Sequence, residues 1–226
     1  MKPKRVFLVT ATKAKTEEEF KKRPIAKSLA KLCDLYDLTQ FDFYVEKNNK
    51  RGLSSIYNKF LTDEHKDDIL LFVHDDVIIS ELFLVEHLRK SPFVVTGLAG
   101  TTAYNIKSPK CAWHLMSRRE DWRGEVRHIK DNNIWTSMFG KSPSNATLID
   151  GLFIAVNVEE ILKTQARFNE QFDFHCYDLA FCIECERNNI SCGVLPISVI
   201  HYGLGDSMLT KEWEDANAKF QEVYAN

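Results

Sequence analysis

The segment Val73-His74-Asp75-Asp76-Val77 sets an imidazole and two carboxylates directly after the apolar run Ile69 to Val73. In open α/β sheets, ligands bind outside the carboxyl ends of the strands. At such an end, these side chains suit a hard divalent cation that bridges a nucleotide diphosphate. The plainer alternative is that Asp75 and Asp76 cap the following helix, because acidic caps are common. A further acid, Asp178, opens a predicted helix, where the dipole favours the ionised form that a general base needs. The same position suits a simple N-cap. Asp150 follows another apolar stretch, and a buried acid there needs a partner. Cys176, Cys182, Cys185 and Cys192 raise the question of zinc, but a second Cys-x-x-Cys knuckle is missing, which favours small core residues. No Gly-x-Ser-x-Gly elbow and no Gly-rich phosphate loop of the kinase or dinucleotide type is present.

The elements that must position these residues alternate between apolar runs and amphipathic stretches, which predicts an α/β fold with a mostly parallel sheet. Strands are predicted over 6–10, 41–45, 69–73 and 93–98, and again over 148–156 and 190–195. Thr16 and Glu19 have capping-box spacing ahead of a helix. Pro24 suits the first turn of another, with Ile25, Leu29 and Leu32 on one face. Further helices are predicted over 53–61, 82–88, 177–188 and 210–224. From Gly100 to about Ala146 the pattern breaks into a polar, aromatic stretch, read as a long functional loop.

Composition narrows the classes. The chain has 226 residues, 44% hydrophobic and 27% charged, with a net charge of −2, ordinary values for one folded domain. Nothing in that balance makes a footprint for nucleic acid. No run approaches the ~18 apolar residues of a membrane span. Six cysteines with no cleavable apolar leader predict reduced thiols and a cytoplasmic protein, or one at the cytosolic face of a membrane.

Several segments, in order, resemble one family. These are Asn49, Gly52 and Tyr57-Asn58, then Ile69 to Val77 with its His-x-Asp-Val, then Val95-Thr96-Gly97-Leu98-Ala99-Gly100. Ile149-Asp150-Gly151-Leu152-Phe153, Phe172 through Tyr177-Asp178 to Cys182, and Val199-Ile200-His201 follow. Together, over about residues 40–205, they resemble the GT-A-fold nucleotide-sugar glycosyltransferases, in particular the bacterial glycosyltransferase-like branch of the large inverting family. The resemblance implies a single three-layer α/β/α domain. About 1–99 would be the nucleotide-binding half, about 100–205 the acceptor and catalytic half, and 206–226 a C-terminal helix. It further implies transfer of a sugar from a nucleotide-sugar donor to a glycan, lipid-linked or small acceptor hydroxyl with inversion, dependent on Mn2+ or Mg2+ and releasing a nucleoside diphosphate. Polysaccharide biosynthesis is the implied setting, and peripheral membrane contact stays open.

Residue roles follow from the same resemblance. Asp76 becomes the metal ligand, His74 takes the place of the signature's first acid, and His201 returns through the fold as a further ligand. Asp178 becomes the catalytic base, although Ala180 stands where the family usually has a second acid. Thr10, Ala11, Thr12, Glu46, Asn49, Asn58 and Asp75 are expected on the nucleotide side, and Asp150 and Trp122 on the acceptor side. A sugar nucleotidyltransferase is one alternative, weakened by Thr10-Ala11-Thr12-Lys13-Ala14-Lys15 in place of a Gly-rich loop. A non-catalytic carbohydrate-binding module is another, kept open by His74 and Ala180.

Overall fold

The computed structural model describes residues 3–203 and 210–225. Its first half is built from short βα units. The strand β1 (Arg5–Ala11) leads through α1 (Glu17–Phe20) and α2 (Pro24–Leu35) to β2 (Phe41–Glu46), and α3 (Leu53–Asn58) leads to β3 (Asp68–Val73). The Thr16 hydroxyl accepts from the Glu19 amide and so starts α1 as its spacing predicts. Pro24 opens α2, which buries Ile25, Leu29 and Leu32. The strands β2 and β3 both pair with β1, in parallel and on opposite sides. Right-handed crossovers that leave in opposite directions put α2 on one face of the sheet and α3 on the other. The crevice between the carboxyl ends of β1 and β3 is therefore the topological switch point.

Every residue of β3 is buried, which is why it reads as an uninterrupted apolar run. After a turn come β4 (Val77–Ile79), α4 (Leu84–Arg89), β5 (Val95–Gly97) and β6 (Ala99–Thr101). The 100–146 stretch, expected as a loop, is irregular over 102–118, but then forms a hairpin of β7 (Trp122–Lys130) and β8 (Asn133–Met138), followed by β9 (Ser144–Asn145). Next are β10 (Leu148–Ile149), β11 (Phe153–Asn157), α5 (Val158–Leu162), α6 (Tyr177–Arg187), β12 (Cys192–Val194), β13 (Val199–His201) and α7 (Lys211–Phe220). The expected C-terminal helix thus begins at Lys211, and residues 206–209 of that expectation lie outside the described residues.

Two sheets result. The larger has the order β2-β1-β3-β11-β5-β12-β9, in which β11 and β9 run against the other five strands. The fold is α/β with a mostly parallel central sheet. The second sheet runs β10-β6-β7-β13-β4, with β8 added to β7, and was not foreseen. The expected strand over 148–156 is divided between the two sheets, because Asp150-Gly151 turns the chain from β10 into β11. One buried apolar cluster runs through both sheets and the helices, with Tyr57 stacked on Phe72 at 4.2 Å and Phe168 on Phe181 at 3.9 Å. Five of the cysteines are buried there, and Cys33 is exposed. Among the described residues, no helix is long and apolar enough to cross a membrane.

Gly124 in β7 lies tight against the backbone at the start of β6. Its φ is +86°, and an added Cβ would lie 1.9 Å from the Leu98 carbonyl oxygen. Gly124→Ala is expected to lower stability by at least about 2 kcal/mol, or roughly 4–8 °C in Tm, from strain and clash together. A thermal melt checks this, and an unchanged Tm would mean that β6 and β7 are not held this tightly.

Candidate functional site

At the end of β3 the chain crosses from one sheet to the other. His74 N–H donates to the Leu152 carbonyl at 3.1 Å, and three residues later β4 joins the second sheet. The three polar side chains of the turn part company. Asp75 turns to the switch-point crevice, accepting from the Thr12 hydroxyl at 2.5 Å and the Arg23 guanidinium at 2.6 Å. Asp76 and His74 instead face a cavity of about 610 Å³ beneath the β7–β8 hairpin.

His201 reaches Asp76 because β13 pairs with β4, setting His201 opposite Val77. The His201 Nε2 and Asp76 Oδ2 lie 3.4 Å apart. Burial works against charge on both groups, yet their mutual attraction wins: the Asp76 carboxyl is held below its ordinary pKa and the His201 imidazole above its own. Among the described residues, the other carboxylate oxygen, Asp76 Oδ1, is buried with no hydrogen-bond partner. A buried anionic oxygen without a donor, beside an imidazole, fits a divalent cation that takes its remaining ligands from phosphate and water. Among the described residues, no set of three or more His, Cys, Asp or Glu side chains is arranged to hold a metal, so the fit extends to these two donors only.

His74 is engaged differently from its expected place in that set. Its Nε2 lies 2.9 Å from the Tyr177 hydroxyl, and its ring lies against Phe174 at 5.6 Å. Burial pushes its pKa down.

Asp178 and Asp150 line the same cavity. Asp150 accepts from Trp113 Nε1 at 2.9 Å and from the Leu152 amide at 3.0 Å, the partners such an acid needs. Asp178 sits in the first turn of α6 and accepts from the Gly151 amide at 2.9 Å. Its carboxyl is pushed up to about 7, first by burial and then by the charge of Asp150. The helix start was expected to favour the ionised form, but desolvation and a neighbouring carboxylate outweigh the backbone donors. Trp122 joins Trp113 and Phe139 in edge-to-face contacts, 5.6 and 6.1 Å between centroids, and donates to the Ser117 hydroxyl. These rings form the aromatic wall of the same cavity.

Thr10, Ala11, Thr12, Glu46 and Asn49 gather elsewhere, at the carboxyl ends of β1 and β2, and none of the expected nucleotide-side residues lines this cavity. Ala11 pairs with Glu46, the Thr12 amide donates to the Glu46 carbonyl, and the Asn49 amide donates to Thr12. Thr10 is fully buried, and among the described residues its hydroxyl has no partner. Glu46 accepts from the Tyr44 hydroxyl. The two asparagines of this group also serve the fold. Asn49 closes a turn on Arg51 through both ends of its amide. Asn58 clamps the 168–170 segment to α3, accepting from the Phe168 amide and donating to the Phe168 carbonyl and Glu170. Asp75 links the two regions through Thr12.

Sequence reasoning missed His114, His128 and His175, which line the cavity with His74 and His201. His128 stands beside His201 in the parallel β7–β13 pair, ring centroids 5.6 Å apart, and is covered by Trp135 at 5.3 Å. Its signal was faint but present: Val126 and His128 alternate with Glu125 and Arg127 along β7. Burial lowers the pKa of His114, His128 and His175, so these rings favour the neutral form.

No family model matches the sequence, and no curated protein matches it. Among solved structures, A197 from STIV is similar at a TM-score of 0.45 and 14% identity, covering 88% of this chain and 86% of that one. The inositol-1-phosphate CTP transferase from T. maritima is similar at a TM-score of 0.43 and 11% identity, covering 99% of both chains.

Proposed function

We propose that the protein is a glycosyltransferase that moves a sugar from a nucleotide-sugar donor to an acceptor hydroxyl with inversion. The observation that carries this reading is Asp178. Its carboxyl, pushed up to about 7, shares one aromatic-walled cavity with the Asp76–His201 pair. A group of that pKa can both take and hold a proton near neutrality, as a general base must. The nucleotide would lie over the carboxyl ends of β1 and β2, against Thr10, Ala11, Thr12 and Glu46, with Asp75 toward the ribose or sugar hydroxyls. Asp76 and His201 would hold Mn2+ or Mg2+. When bound, such a cation neutralises charge on the leaving diphosphate. Trp122 and Trp113 offer apolar faces for a sugar ring, and Asp150, fastened by two donors, keeps the Asp178 pKa high. Asp178 then takes the proton of the attacking hydroxyl, on a glycan, lipid-linked or small acceptor of the kind used in polysaccharide synthesis.

A thermal-shift series of nucleoside diphosphates and nucleotide sugars, with and without manganese, tests the donor half. At about 100 Kd a ligand of the native state adds ~2.7 kcal/mol, which for a chain of this size is on the order of 5–10 °C. The expected result is a shift that needs both diphosphate and metal, together with slow release of free sugar from the stabilising donor. Sugar binding with no metal-dependent release from any donor would instead leave a carbohydrate-binding module.

A further inference from the structure

Tyr177 begins α6 with its phenol buried between two partners. Its oxygen lies 2.6 Å from the Gly151 carbonyl oxygen and 2.9 Å from His74 Nε2. A carbonyl can only accept, so the single phenolic hydrogen lies on the Gly151 contact. Toward His74 the phenol oxygen is left only lone pairs, and the nitrogen that faces it must carry a hydrogen. We infer that Tyr177 is a positioning residue that fixes His74 as the Nε2–H tautomer, leaving Nδ1 bare as an acceptor in the cavity.

The surroundings hold this arrangement from several sides. Phe174 lies nearly parallel to the imidazole, with 24° between the rings, and limits its rotation. The absence of a side chain at Gly151 lets the phenol come this close, because a Cβ there would lie 2.5 Å from the Tyr177 hydroxyl. The Gly151 amide is bonded in turn to Asp178, on the same first turn of α6. Among the described residues, the hydrogen bond of the His74 ring is made at Nε2. The bare nitrogen can receive a hydrogen bond, as from a sugar hydroxyl, and offers nothing to a phosphate oxygen. The tautomer itself does not depend on the transferase reading.

Long-range proton–nitrogen correlation NMR on the full chain with labelled histidine, at pH 8 where an imidazole is neutral, reads the tautomer directly. The His74 signals are those missing from His74→Gln. The expected wild-type spectrum has Nδ1 as the unprotonated nitrogen and Nε2 as the protonated one. In Tyr177→Phe the lock is gone, so both tautomers are expected, with Nε2–H exchanging with water on the order of tenfold faster, the worth of one hydrogen bond. A protonated Nδ1 in the wild type, or an unchanged pattern in folded Tyr177→Phe, would overturn the inference. Should that variant fail to fold, the wild type still decides: the Nε2 proton must be slow to exchange and show a nuclear Overhauser contact to the Tyr177 ring, and absence of either overturns it.

Discussion

Asp178→Asn is expected to lower turnover by roughly 10²–10⁴-fold while raising the melting temperature at pH 8. Both effects come from one displaced pKa. In the unfolded chain an aspartate titrates near ~3.9; in the native cavity Asp178 titrates at about 7. Between those values the native state keeps a proton that the unfolded state has lost. Stability from this group therefore falls as pH rises through that window, and the loss is complete above about 7. Asparagine cannot ionise, so the variant escapes it, and the gain in Tm at pH 8 should fade as the buffer approaches pH 4. The side-chain carbonyl of asparagine can still accept from the Gly151 amide, which leaves the local fold in place. In the wild type, turnover should rise with pH through an apparent pKa near 7. That value belongs to the Asp150–Asp178 pair and not to one residue. A folded Asp178→Asn protein that binds donor and keeps full turnover would remove the base assignment.

Asp76→Ala is expected to abolish metal-dependent binding of a nucleoside diphosphate, beyond the roughly 10–100-fold that loss of an outer-shell partner brings. His201→Ala should weaken that binding and flatten its pH dependence. An imidazole ligates only when neutral, and Asp76 raises the His201 pKa above the ordinary value. Affinity in the wild type should therefore decline on acidification, beginning at a higher pH than a free imidazole would give. The apo protein has the opposite sign. A raised histidine pKa contributes stability that is present below the unfolded value of ~6.5 and lost as pH rises through the folded one. Calorimetric titration of manganese with nucleoside diphosphate, beside melts of the apo protein, separates these effects. Wild-type affinity and pH dependence in folded His201→Ala would leave His201 a structural residue.

Elements buried on both faces were the legible ones. The strand β3 reads as an unbroken apolar run because every residue of it is covered, and α2 declares itself through Pro24 and one apolar face. The β7–β8 hairpin was hidden because β8 is almost wholly exposed, so no apolar stripe marks it. Its turn was the better clue: Asp131-Asn132 adopts φ of 50° and 64°, as a two-residue hairpin turn requires. Likewise Asp150-Gly151 marks the break that a reading of one strand passed over. For the site, residue type together with the family resemblance singled out Asp76, Asp150 and Asp178. Partners were another matter. That Asp75 meets Thr12, that His128 stands beside His201, and that Tyr177 holds His74 are products of strand order and turn geometry, which no local pattern encodes.

The pairing of β4 with β13 joins two stretches of chain that lie far apart in sequence and are each three residues long. Most of the cavity wall lies in the chain between them, which β5, β11 and β12 anchor in the larger sheet. On its other side β13 pairs with β7 over two residues. Local opening of β13 would dissolve the Asp76–His201 contact while the buried strands of the larger sheet stayed closed. A ligand that grips both side chains therefore acts as a reversible cross-link between the start of β4 and the end of β13. Occupancy and the integrity of the wall become a single equilibrium, in which the site is tightened by what it binds.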